Sequence, residues 1–151
     1  AVCLVVVLFV FRDYGVTNDE HIQAQYGLRV WLWLSSGFED RSLFELGNLR
    51  FYGAFYELAA LAFQKSMPLK TLDARHLFNA LFSLLGLVGV YRLGTLLGGS
   101  PTGLLAAAML LLVPRWVGHS FNKPKDIPFA VACVWTLEQV VRSIDPERNL
   151  S

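Results

Sequence analysis

The sequence predicts an all-α fold, a polytopic membrane helical bundle with amphipathic helices lying beside the membrane, and three observations lead there. Of the 151 residues, 54% are hydrophobic and 17% charged, whereas a soluble domain carries roughly a quarter charged residues. The apolar residues collect in long runs, as membrane spans require. Between those runs, Ile22, Tyr26, Val30 and Trp33 recur at steps of three or four, which is helical rather than strand spacing. The formal net charge is +1 and no basic tract stands out, so nucleic acid is not an expected partner. Cys3 and Cys133 both lie in apolar runs and read as buried thiols, not as a disulfide or a metal pair.

Residues 1–11 contain no charge and form the first expected span. At ~1.5 Å per residue they cover only about half of a ~30 Å hydrocarbon core. No cleavable signal pattern is present, and charged residues at Asp145, Glu147 and Arg148 follow soon after the last apolar run. The chain therefore reads as a piece of something longer, a single transmembrane domain fragment over residues 1–151.

A polar knot follows, Thr17-Asn18-Asp19-Glu20-His21. Thr17-x-x-Glu20 is a capping-box pattern, and acids in a first helical turn suit the helix dipole. The same residues also place two carboxylates and an imidazole where a chain leaves the bilayer, a costly position unless something polar meets them. The helix that follows, residues 19–34, carries Tyr26, Trp31 and Trp33, side chains that favour the membrane–water interface. Ser35-Ser36-Gly37 ends it. Charged residues from Glu39 to Arg50 mark an exposed loop. Residues 51–63 form an aromatic-rich helix carrying Glu57, too short to span and expected to lie on the surface.

Residues 76–97 form a full span, with Arg75 and His76 at one end, Tyr91 and Arg92 near the other, and Gly86 and Gly89 between. Gly94-x-x-x-Gly98 offers a close helix contact. Gly98-Gly99-Ser100-Pro101 is a tight turn, so the next span, residues 102–117, runs antiparallel, with Pro114 bending its end. A second polar knot, residues 115–128, holds Arg115, His119, Asn122, Lys123, Lys125 and Asp126. The last span, residues 127–141, has Asp126 at its cap and Pro128 in its first turn.

Counting these four spans puts Asp19 and Asp126 on one face of the membrane. A crossing by residues 51–63 would separate them, and its length argues against one. The shared face also collects Arg12, Arg29, Arg41, Arg50, Lys65, Lys70, Arg75, Arg115, Lys123 and Lys125, which the positive-inside rule assigns to the cytoplasm.

The ordered series of apolar helix, Asn-Asp-Glu knot, amphipathic helix and short aromatic helix is half of a likeness to a known family. The other half is Ala74-Arg75 leading a Leu-rich span, the turn at residues 98–103, and His119-Ser120-Phe121 with Pro124-Lys125-Asp126-Ile127-Pro128. Together they resemble the N-terminal part of polyprenyl-phosphate-sugar-dependent membrane glycosyltransferases of the C-type fold, glycosyltransferase family 39 with its protein O-mannosyltransferases and aminoarabinose transferases. The likeness covers nearly all of this chain, whereas family members are several times longer. It implies Asp19 as general base with Glu20 beside it, and Asp126 as a second acid. It also implies an extracytoplasmic first loop, opposite to the charge count, and a bacterial inner (plasma) membrane location. The acid that relatives often carry in the segment matching residues 47–52 has no counterpart here.

The implied reaction moves a sugar from a polyprenyl-phosphate donor to an acceptor hydroxyl with inversion. A carboxylate takes the acceptor's proton, and cations balance the charge growing on the departing phosphate. Lys123, Lys125, Arg115 and Arg75 are candidates for that second role, with His119 as a further donor-binding residue. Each of the cations reads equally well as a lipid head-group contact. The sequence assigns no definite cofactor. A divalent cation held by His21, His76 or His119 with Asp19 or Asp126 is conceivable, although no metal-ligand spacing points to one. Partners would be the lipid-linked donor, membrane lipid and other membrane subunits.

Two alternatives share the same scaffold. A non-catalytic packing subunit of a larger membrane complex would keep the helices without the chemistry. A transporter or channel fragment is weakened because no charge sits in the middle of the long spans.

Overall fold

The structure, a computed structural model, describes residues 2–144, apart from the side chain of Asn18. The acidic and basic stretch beginning at Asp145 lies outside the described residues. Among the described residues the structure is all-helical, with 82% helix and no strand. Six α-helices follow one another: α1 (Val2–Val10), α2 (Asn18–Ser35), α3 (Ala54–Ser66), α4 (Thr71–Leu111), α5 (Pro114–Asn122) and α6 (Asp126–Ile144). Two short 3-10 turns, Ser42–Glu45 and Gly47–Phe51, fill the expected loop between α2 and α3.

Two helices, Thr71–Leu111 and Asp126–Ile144, are long and apolar enough to cross a membrane. Only 28% and 17% of their most apolar windows are buried. The core helix of a soluble domain would hide most of such a stretch, so these apolar surfaces call for lipid or protein to cover them. They contain two of the four expected spans, residues 76–97 and 127–141. The others come out shorter. Helix α1 occupies nine residues of the first expected span, 1–11.

The difference at the third expected span has a local cause. Helix α4 is broken at Gly98 and Gly99, where Gly99 has φ +81°, a left-handed conformation that glycine adopts without strain. The limb after the break ends at Leu111. Expected span 102–117 is thus divided, because Pro114 opens the new helix α5, the position where its missing N–H costs nothing. A bend was anticipated there; a restart is found.

The hairpin at the glycine break is tight. Gly94 and Gly103 face each other, and a Cβ on Gly103 would lie 2.5 Å from the Tyr91 carbonyl oxygen. Gly94 therefore makes the anticipated close approach, while Gly98 serves the turn. The first limb of α4 packs along α6, and the two run parallel. Gly86 receives Val131 from α6 and Trp116 from α5, and Gly89 receives Val134 and Trp135. Trp135 donates its indole N–H to the Leu85 carbonyl at 3.1 Å. Further along, Arg92 and Arg142 both bond Glu138, whose side chain is fully buried.

Helix α3 is not simply laid on a surface. It packs against α2 and α4 and buries Glu57, Ala60 and Leu61. The contact with α2 is close because Gly27 has no side chain, its missing Cβ being 3.1 Å from the Glu57 carbonyl oxygen. A second core under α1 joins Val7, Phe11, Leu77, Ala80 and Phe121, with Tyr14 stacked on Phe121 at 3.9 Å.

Candidate functional site

The start of α2 is built by its own sequence. Glu20 reaches back from the third helical position, and one carboxylate oxygen accepts the Thr17 backbone N–H at 2.8 Å, satisfying a donor that the helix leaves free. The other oxygen bonds Nε2 of His76 in α4, also at 2.8 Å. Both ends of Glu20 are thereby engaged, and its side chain is buried. The Thr17 hydroxyl donates to the Asn122 carbonyl at 3.3 Å, across 105 residues of sequence. These bonds bring the two polar knots together.

Asp19 is left half-exposed beside the second knot. Its Oδ2 lies 3.5 Å from Nζ of Lys123 and 3.9 Å from Nζ of Lys125. The Lys125 ammonium also sits over the Tyr52 ring, 5.5 Å from its centre, a favourable cation–π placement. Asp19, Gln23, Asn48, Tyr52 and Lys125 border an open cleft of about 160 Å³. Asp19 and Lys125 are the charged side chains that border the cleft, and Lys123 sets a second ammonium beside Asp19.

Beneath this site lies a buried polar layer. Arg75 of α4 bonds Glu57 of α3, both almost wholly buried. Burial pushes the Glu57 carboxyl above its ordinary pKa, while the Arg75 guanidinium pulls the other way. Burial and the nearby Glu57 push the Tyr56 phenol upward too. Tyr56 donates to Asn79 Oδ1 at 2.8 Å, and the Asn79 amide donates to the carbonyls of His119 and Ser120. On α2, Tyr26 donates to the Tyr52 carbonyl at 2.6 Å. These bonds tie α3 to α4 and α4 to α5, and hold α2 to Tyr52, which borders the cleft.

The residues singled out by sequence are distributed unevenly around this centre. Asp19, Lys123 and Lys125 meet. Glu20 is adjacent but occupied by Thr17 and His76. Asp126 is exposed in the first turn of α6 and is not among the residues bordering the Asp19 cleft. Arg115 is exposed in the first turn of α5. His119 contributes its backbone carbonyl to Asn79, with its ring half-buried. Arg75 is turned inward to Glu57, not outward to a head group. Among the described residues, no three His, Cys, Asp or Glu side chains gather to hold a metal ion.

The pairs Glu20–His76, Glu57–Arg75 and Glu138–Arg92 are the polar features that reading along the sequence leaves unpaired. A signal for them did exist: each acid falls in a helix otherwise rich in apolar residues, and each has a cationic or imidazole candidate in another such helix. An apolar cleft of about 400 Å³ between α1, α4 and α5, bordered by Val6, Val10, Leu84, Leu87, Trp116 and Phe121, also escaped the sequence. Comparison of the chain with known protein families, with curated proteins and with solved structures found no match.

Proposed function

We propose that this chain belongs to an integral-membrane glycosyltransferase, transferring a sugar from a polyprenyl-phosphate donor to an acceptor hydroxyl. The observation that carries the reading is the Asp19 carboxylate facing the ammonium groups of Lys123 and Lys125 across two knots far apart in sequence. In this reading the acceptor oxygen attacks the anomeric carbon from the face opposite the phosphate. The new C–O bond forms as the C–O bond to phosphate breaks, inverting the centre. Asp19 takes the acceptor's proton, and Lys123 and Lys125 stabilise the polyprenyl phosphate as it leaves.

Glu20 acts through its neighbours by fixing the start of α2, so that Asp19 projects from a rigid turn. The cleft between α1, α4 and α5 has the apolar lining that an isoprenoid chain needs. Asp126, Arg115 and His119 belong to the same polar end of the bundle and are assigned to the approach of the donor. The site faces the extracytoplasmic side of a bacterial inner membrane.

The test is Asp19→Asn in the complete protein, assayed for sugar transfer from a lipid-linked donor. Transfer should fall to background while expression and thermal unfolding stay unchanged. Wild-type turnover in that variant would remove Asp19 as the base. The packing-subunit reading is separated by the same variant, because the glycine-lined contact of α4 with α5 and α6 is internal to the chain. It expects Asp19→Asn to be silent and a bulky residue at Gly86 to loosen assembly.

A further inference from the structure

Helix α2 closes on Val-Trp-Leu-Trp-Leu, residues 30–34, a stretch apolar around its whole circumference. Such a turn needs cover on every side. Val30 is buried, but Trp31, Leu32 and Leu34 remain exposed. Lys65, at the end of α3, holds its ammonium over the Trp31 ring, 5.1 Å from its centre. Helix α3 in turn sets Phe63 against Phe78 and Tyr56 against Phe82, in the first turns of α4. The end of α2 is thereby tied to α3 beside the beginning of a candidate membrane span. Lipid head groups lie at such an end, and aromatic rings and long cations gather there.

Just past α2 an open cleft of about 430 Å³ is bordered by Trp33, Phe38, Arg41 and Phe44. The Phe38 and Phe44 rings both meet Trp33 at an angle, 60° and 87°, with centres 4.7 and 6.1 Å away. A helix cap accounts for part of this. Gly37 has φ +68°, and the Phe38 N–H donates to the Trp33 carbonyl at 2.9 Å, which brings the first two rings together. The cap does not ask Phe38 itself to be left-handed, yet its φ is +74°. A bulky residue in that region is strained, and here the ring is 57% exposed. Strain that leaves a large apolar ring facing outward is an outlier of the kind found at binding sites.

The charges nearby are mostly spoken for. Arg29 bonds Glu45 and the Ser42 carbonyl, and Asp40 accepts the Ser42 N–H. Glu39 does not border the cleft. The exposed guanidinium of Arg41 does border it and forms no ion pair among the described residues. Three rings and one unpaired cation match an apolar body joined to an anionic group. No acid lines the cleft to receive an ammonium, which favours an anionic over a zwitterionic head group.

We propose that this cleft seats the head group of an anionic phospholipid, with the phosphate on Arg41 and the glycerol and first acyl carbons against Trp33, Phe38 and Phe44. The exposed Trp31, Leu32 and Leu34 rest in the same leaflet. The site does not draw on the transferase reading; it anchors the end of α2 whatever chemistry the chain serves.

The test uses the full protein labelled with fluorotryptophan in neutral detergent micelles. The Trp33 fluorine signal, assigned through Trp33→Phe, reports this cleft and no other. It should shift on titration with dihexanoyl phosphatidylglycerol. Dihexanoylglycerol, which lacks the phosphate, and glycerol phosphate, which lacks the chains, should each need at least tenfold higher concentration. Arg41→Gln should weaken the lipid about fivefold, the scale of one basic residue at an anionic lipid surface. Lys70→Gln, an exposed cation outside the cleft, should change nothing. Phe38→Gly relieves the left-handed strain, so it should bind at least threefold more weakly while its thermal midpoint does not fall.

A silent Trp33 signal, or an unchanged affinity in Arg41→Gln or Phe38→Gly, would overturn the proposal. So would equal binding of glycerol phosphate, which marks a site for a soluble anion, or of dihexanoylglycerol, which marks a merely greasy one. Equal losses in Arg41→Gln and Lys70→Gln would mean diffuse charge attraction instead of a site. A Trp33 shift on raising protein concentration alone would assign the surface to a protein contact. A lower midpoint in Phe38→Gly would show that the fold, not a lipid, holds the ring there.

Discussion

Glu57 and Arg75 form an ion pair sealed on both sides, with side chains 4% and 6% exposed. Two charges withdrawn from water this far stabilise a fold only while they have each other, and removing one strands the other. The pair joins α3 to α4, so the packing of these two helices depends on the protonation state of Glu57.

Arg75→Met should accordingly destabilise the protein by about 3–5 kcal/mol at neutral pH. The sign of its pH dependence follows from Glu57. Burial raises the folded-state pKa of Glu57 above its unfolded value, so this group's contribution to stability is full below the unfolded pKa and is lost as pH rises through the folded one. Without Arg75 to oppose burial, that loss grows. The variant should regain stability on acidification toward the carboxylate range. Glu57→Leu combined with Arg75→Met should recover most of the loss at neutral pH. Thermal unfolding in micelles across pH measures both, and a pH-independent deficit in Arg75→Met would contradict the sealed-pair account.

Glu138 should behave differently although it is the more deeply buried acid. It is held by two arginines, and the Arg92 side chain is 41% exposed. Removing Arg92 leaves Arg142 in place, so Arg92→Met is expected to cost only about 1 kcal/mol. A loss as large as that of Arg75→Met would show that Arg92 is not rehydrated as its exposure implies.

Gly103→Ala should be among the most damaging small substitutions in the chain. The added methyl meets the Tyr91 carbonyl oxygen at 2.5 Å, and backbone cannot rotate away as a side chain can. Overpacking of this kind costs about 1–3 kcal/mol. The expected readout is a lower thermal midpoint, with Gly118→Ala as a control because nothing lies within 4 Å of that position.

At the proposed active site, Lys123→Met and Lys125→Met together should lower transfer by about 100-fold, the scale of losing one preorganised charge-stabilising group. The loss should appear chiefly in kcat, because the charge they balance grows as the phosphate departs. If KM alone rises, the lysines hold the donor's ground state and the proposed role is wrong.

Local patterns were the most legible part of this protein. The capping box at Thr17 and Glu20, the turn at Gly98 and Gly99, and the proline start of a helix all depend on residues within a few positions of one another. The second knot was visible as a polar interruption between apolar runs. Counting spans put Asp19 and Asp126 on one face, whereas the structure sets Asp19 beside Lys123 and Lys125. Helix α3 was harder to read. Its aromatic residues suggest a helix lying in an interface, whereas Glu57 is drawn inward by Arg75, a partner 18 residues away.

By itself the sequence determined most of the helices, the break at Gly98 and Gly99 and the concentration of polar residues into two knots, because backbone preferences and apolar spacing act over one or two turns. Only the tertiary structure decided which acid of the Asp19-Glu20 pair stays open and which is consumed. Neighbouring side chains on a helix point about 100° apart. That difference sends Glu20 inward to His76 and leaves Asp19 to the lysines of a segment more than a hundred residues away.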